Sequence, residues 1–163
     1  MQSRSTATLP CLLTAMLLWS TTVYGHGFLA KEEQFAAGIP VTDEQDWPTL
    51  SFTHQGNGWL TTRQQFTHGE IIRFVIHNQS DQEHLFAIGS AASLSDQGQM
   101  HALMPEQRTD YPNTRWLAAG AQATLTWEFN VAGPVRVHCL VTGHMGEETP
   151  LELQVLVPES SNP

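Results

Sequence analysis

Residues 137–150, VHCLVTGHMGEETP, decide how the rest of the chain is read. They continue the β-branched, apolar run 134–140, which reads as a strand, so Cys139 falls at a strand end. His144 follows across a loop that Gly143 can turn sharply, and such a loop can fold the thiol and the imidazole onto one point. Outward from this stretch the periodicity is that of strands. Residues 70–77 place Ile72, Phe74 and Ile76 on one face, and residues 124–129 alternate strictly, with Leu125, Trp127 and Phe129 on one side. Residues 84–88 and 151–157 add two more runs, and residues 49–53 a weaker one. Turn signals at 78–81, 119–120, 133–134 and Gly143 separate them. Short strands at this spacing, without long intervening helices, predict an all-β sandwich or barrel. Residues 91–107 lack strand alternation and are expected to form a short helical or loop insertion.

Composition narrows the function. The chain has 163 residues, 40% of them hydrophobic, and a formal net charge of −9, with seven Lys plus Arg that are scattered rather than clustered. One domain with a packed core is expected, and nucleic acid is excluded as the main partner, because phosphate binding needs clustered basic residues. Residues 1–25 resemble an export signal: Arg4 gives a positive start, an apolar run follows from Cys11 to Trp19, and Gly25 stands at the expected cleavage point. That run is too short to span a bilayer, so a soluble, exported, periplasmic mature protein without a membrane span is expected. Loss of Arg4 leaves six basic against 16 acidic residues, or −10. The chain divides into the signal, an extension over 26–48, a domain over 49–158 and a frayed tail over 159–163. Cys11 leaves with the signal, and Cys139 then stands as an unpaired cysteine in an exported protein, which points to an inert thiol, an intermolecular bond or metal coordination.

The neighbours of Cys139 favour metal. His84 opens another strand, and in a sandwich the ends of the two strands can meet at one pole. One thiolate and two imidazoles suit copper: the sulfur favours Cu(I), the imidazoles hold both oxidation states, and a trigonal His₂Cys plane with a weak axial group is the blue-copper geometry.

The stretch EHLFAIGS, the insertion containing Met and His, LAAGAQATLTWEF and the Cys-x4-His loop together resemble the cupredoxins, the type 1 copper family of azurin and plastocyanin, and within it the periplasmic copper-tolerance cupredoxins. The resemblance covers residues 70–157. It implies a Greek-key sandwich holding one copper ion on His84, Cys139 and His144. It also implies one-electron transfer or copper handling rather than catalysis, with a redox or copper-transfer partner protein. The loop departs from the family pattern. Thr142 replaces the usual Pro, the family spacing puts Thr149 rather than Met at the axial position, and azurin-like spacing puts Glu148 there; Met145 is expected to point elsewhere. A Thr would leave the axial position weak, whereas a Glu oxygen would favour Cu(II) and lower the potential.

Other histidines carry weaker expectations. His138 should face away from Cys139 on its strand, and His77 reads as a strand-end polar residue. Met100, His101 and Met104 could share one side of a helix as a Cu(I) transfer site; the favoured alternative is that the two Met cover the core while His101 is solvated. After cleavage at Gly25, His26 would begin the chain and could chelate copper as an N-terminal brace of an oxidising enzyme, with His54 or His68 as partner.

Overall fold

The computed structural model describes residues 37–108 and 110–158. The expected export signal, His26 and the tail from 159 therefore lie outside the described residues. The chain order is β1 (Ile39–Pro40), β2 (Thr49–His54), β3 (Trp59–Thr61), β4 (Gln65–Thr67), β5 (Glu70–Asn78), β6 (His84–Gly89), α1 (Ala91–Leu103), β7 (Thr114–Leu117), β8 (Gln122–Phe129), β9 (Gly133–Cys139) and β10 (Leu151–Leu156). The strands form two five-stranded sheets in the orders β1-β8-β5-β2-β3 and β4-β10-β9-β6-β7. Most pairings are antiparallel; β2 with β5 and β4 with β10 are parallel.

The alternating faces explain the layering. Ile72, Phe74 and Ile76 of β5, with Leu125, Trp127 and Phe129 of β8, turn inward and meet Phe86, Ile88, Val135 and Val137 of the other sheet. Phe52 sits at the centre, edge-on to Phe74 and Phe86 at ring separations of 4.8 and 5.5 Å. Part of the 26–48 extension joins this sandwich: Ala37 is buried, and β1 pairs with β8 through Ile39↔Glu128.

The insertion is a 13-residue helix capped by Ser90, whose hydroxyl accepts from the Ser93 backbone N–H. It buries Leu94, Gln97, Gly98 and His101, the i, i+3, i+4, i+7 stripe of a helix laid on the outer face of the second sheet. Leu94 joins Leu85, Ala87 and Leu140 in a second apolar cluster there. This coverage leaves β6 buried on both faces. Gly98 leaves room for Met145, whose flexible side chain would have to shift if a Cβ stood there. Gln97 is matched to Asn113, which exchanges amide hydrogen bonds with it at 3.2 and 3.4 Å.

The helix corrects one expectation. His101 is buried, 6% exposed, with its ring edge-on to Tyr111 and Trp116, whereas Met100 and Met104 are exposed. The stripe that faces the sheet runs through position 101, so the two Met, displaced around the helix from it, do not cover the core.

Candidate metal centre

Four side chains meet at one pole of the sandwich. His84 opens β6 and Cys139 closes β9; the two strands are antiparallel neighbours in register Phe86↔Cys139. Both residues share the inward parity of Phe86 and Val137 and therefore face the same space. His144 comes back over them because residues 144–148 wind into a helical turn: the backbone N–H groups of Glu147 and Glu148 donate to the His144 carbonyl at 2.9 and 2.8 Å. Gly143, at φ 97°, supplies the left-handed residue that starts this turn. The i, i+4 spacing then sets His144 and Glu148 on one side of it.

The donor atoms converge closely. His144 Nδ1 lies 3.5 Å from Cys139 Sγ and 3.3 Å from Glu148 Oε1, and His84 Nδ1 lies 3.2 Å from the same Oε1. One ligand atom from each of His84, Cys139, His144 and Glu148 falls within 4.8 Å of all the others. A thiol, two imidazole nitrogens and a carboxylate oxygen so placed fit a copper ion by donor chemistry. The fit is supported by His84 Nδ1, a buried nitrogen with no hydrogen-bond partner in spite of its short contact to Glu148. A cleft of about 200 Å³, lined among others by Ser80, Asp81, His84, His144 and Glu148, opens onto these donors and gives an ion a path in.

His84 is held from behind. His84 Nε2 lies 2.9 Å from Ser80 Oγ, and Ser80 donates to Asn78 Oδ1 at 2.8 Å. With the hydroxyl proton given to Asn78, Ser80 accepts from an Nε2–H, the tautomer that leaves the Nδ1 lone pair facing the other donors. Asn78 is buried and donates in turn to the carbonyls of Gln82, Leu117 and Ala118. Asn78→Ala strands these groups, so we expect a stability loss of about 1–3 kcal/mol. Urea denaturation of the metal-free protein measures it, and an unchanged midpoint would contradict the anchoring role.

Glu148 faces the opposite sheet. His54, at the end of β2 and only 2% exposed, stacks on His84 at 3.5 Å between ring centroids and sets its Nε2 3.2 Å from Glu148 Oε2. The angle is unsuited to a hydrogen bond, and both His54 ring nitrogens have none. The Glu148 carbonyl contacts His138 Nε2 at 3.2 Å, from the outward-facing side of β9 as its parity predicts.

The three residues considered for the axial position are placed differently. Thr149 is turned away, since its N–H donates to the Asn57 carbonyl at 3.0 Å and its hydroxyl accepts from Asn57 Nδ2 at 3.2 Å. Met145 lies against Gly98 of α1. Glu148 is the residue that reaches the cluster. His54 was readable in the sequence only as a brace partner; nothing local signalled its stacking on His84. His68 lies in the turn before β5, at the opposite end of that strand from Asn78, and is exposed.

Burial governs the protonation states. The Cys139 thiol is pushed up to about 12, chiefly by desolvation, with backbone hydrogen bonds from Val141 and Leu85 pulling partly back. Burial, and then the neighbouring His54, hold His84 below the ordinary histidine value; Glu148 opposes this and His144 adds to it. A neutral imidazole is the form a metal requires.

No protein-family model matches the chain. The copper-resistant cuproprotein CopI of Rubrivivax gelatinosus is 38% identical over 76 residues, which are 47% of this chain and 46% of that protein, so the match spans about half the length of the relative. Among solved structures, auracyanin B superposes with a TM-score of 0.58 at 15% identity, covering 76% of this chain and 99% of that one. Auracyanin of Roseiflexus castenholzii and auracyanin A of Chloroflexus aurantiacus, the latter described as a blue copper protein, each give 0.51 at 18% identity. Both cover 66% of this chain, and 96% and 98% of their own. The chain has the cupredoxin fold and is related in sequence, over those 76 residues, to a copper-resistance cuproprotein.

Proposed function

We propose that the chain binds one copper ion through His84 Nδ1, Cys139 Sγ and His144 Nδ1, with Glu148 Oε1 as fourth donor, and serves copper tolerance as an electron-transfer or copper-binding protein rather than as an enzyme. The observation that carries this reading is the convergence of the four donor atoms at the sandwich pole. Copper bound there would supply a one-electron Cu(II)/Cu(I) couple. The protein's part is to hold the donors in nearly the same place in both states: His84 and Cys139 sit on paired strands, and the 144–148 turn is tied to its own backbone. Trp59 and Phe86, packed edge-on at 5.0 Å beside His54 and His84, exclude water from the inner side. His144 is the most exposed donor, 20% accessible, and offers the shortest way out for an electron.

The copper-tolerance role rests on the similarity to the cuproprotein, and the periplasmic location on the export signal over residues 1–25. Among the described residues no helix is long and apolar enough to cross a membrane. The acidic surface charge would steer a basic partner protein. The brace reading loses one support, because His54 is stacked on His84 and set against Glu148.

Titrating the mature protein with Cu(II) while recording the visible spectrum tests the proposal. An intense sulfur-to-copper charge-transfer band saturating at one equivalent is the expected result. Copper binding without that band would overturn it.

A further inference from the structure

Outside this pole the helix carries a second set of metal-binding side chains. Met100, His101 and Met104 line one small cavity of about 10 Å³ with Gln107 and Tyr111, at the C-terminal end of α1. That volume is about what a single small occupant needs. The imidazole is buried, and its Nε2 has no hydrogen-bond partner, the state in which a polar atom is costly to leave. The two Met are 43% and 37% exposed. A buried imidazole with an unpartnered nitrogen and two partly exposed methionines thus border one opening.

We propose that Met100, His101 and Met104 form a second metal site selective for a soft monovalent ion, Cu(I), held by two thioether sulfurs and the His101 imidazole. Thioethers select Cu(I) over the harder divalent ions, and a single imidazole completes a three-donor set without adding charge. Burial holds His101 below its ordinary value, so no proton competes at neutral pH. The exposure of the two methionines allows the ion to arrive and leave by exchange with a partner's own soft ligands. His101 also borders a second cavity whose other walls include Trp116, Leu140 and Val141, the last two directly following Cys139. The helical site therefore lies beside the loop of the first centre without sharing a residue with it.

The test uses the full mature chain carrying Cys139→Ser, which removes the first centre's sulfur and makes the outcome independent of the function proposed above. Anaerobic Cu(I) titration against a coloured chelator should show one retained equivalent. Adding Met100→Leu and Met104→Leu, which nearly conserve volume, should weaken that equivalent at least tenfold. X-ray absorption of the retained Cu(I) should show sulfur neighbours that the double substitution removes. Unchanged affinity, or bound Cu(I) without sulfur neighbours, would overturn the site. A measurement without the two Met substitutions guards against misfolding. In the mature chain carrying Cys139→Ser and methyl-labelled methionine, Ag(I) should shift the Met100 and Met104 signals more than that of Met145, which packs on Gly98. If neither of the two moves, the proposal fails.

Discussion

Cys139→Ser is expected to abolish the charge-transfer band completely and to weaken Cu(II) binding at the pole by more than about 100-fold. Outer-shell partners typically account for 10–100-fold in affinity, and Cys139 would be a direct donor. It is the one sulfur whose atom lies within the four-donor cluster, and it is fully buried. A serine hydroxyl is a hard, neutral donor that does not ionise in this setting, so both the covalent sulfur bond and the anionic charge disappear. The fold should survive, because the replacement is nearly isosteric. Visible absorption and competitive Cu(II) titration of the two proteins make the comparison, and a band that persists in the variant would contradict the assignment.

The same thiol gives a pH dependence. Its value in the folded, metal-free protein is raised to about 12, above the ordinary thiol value of about 8.5. The folded state thus favours the protonated form. The associated stability is fully present below the unfolded value and is lost as pH rises through the folded one. Metal-free wild type should become easier to unfold between about pH 8.5 and 12, and Cys139→Ser should lack that component of the slope. Copper must displace this proton, so apparent affinity should rise with pH in the wild type.

Glu148→Gln should raise the reduction potential. The substitution keeps the shape of the side chain and its neighbours, including His54 and His138, but removes the anionic charge that would favour Cu(II) over Cu(I). A tenfold change in relative affinity for the two oxidation states corresponds to about 59 mV for one electron, and we expect a rise of at least that size, with a changed visible spectrum. Thr149→Val is the control, because Thr149 is engaged by Asn57 and faces away from the donors. Spectroelectrochemistry of the three proteins decides the matter. An unchanged potential in Glu148→Gln, or an equal rise in Thr149→Val, would remove Glu148 from the centre.

β5, β8 and β10 were legible because each buries one face, and their parity is written in their alternating side chains. Four short strands were not. β1, β3, β4 and β7 have two to four residues each, too few to display a period, and they are held by pairing with longer neighbours. The helix hid its buried stripe because that stripe is Leu94, Gln97, Gly98 and His101 rather than an apolar row. Gln97 is tolerated there by Asn113, and Gly98 by the sulfur that passes over it, both distant in sequence.

The sequence by itself determined the sandwich class and the grouping of Cys139 with His144, since strand parity and a short loop are local properties. It also brought His84 into the set, through the resemblance of the surrounding segments. Only the tertiary structure turned Thr149 away, set Glu148 beside the donors and brought in His54. The direction of Glu148 depends on the turn at 144–148, on Asn57 holding Thr149 from another loop, and on β2 arriving from the opposite sheet. Those contacts join residues some 90 positions apart, and side-chain direction at a sheet pole is set by what the fold places across it.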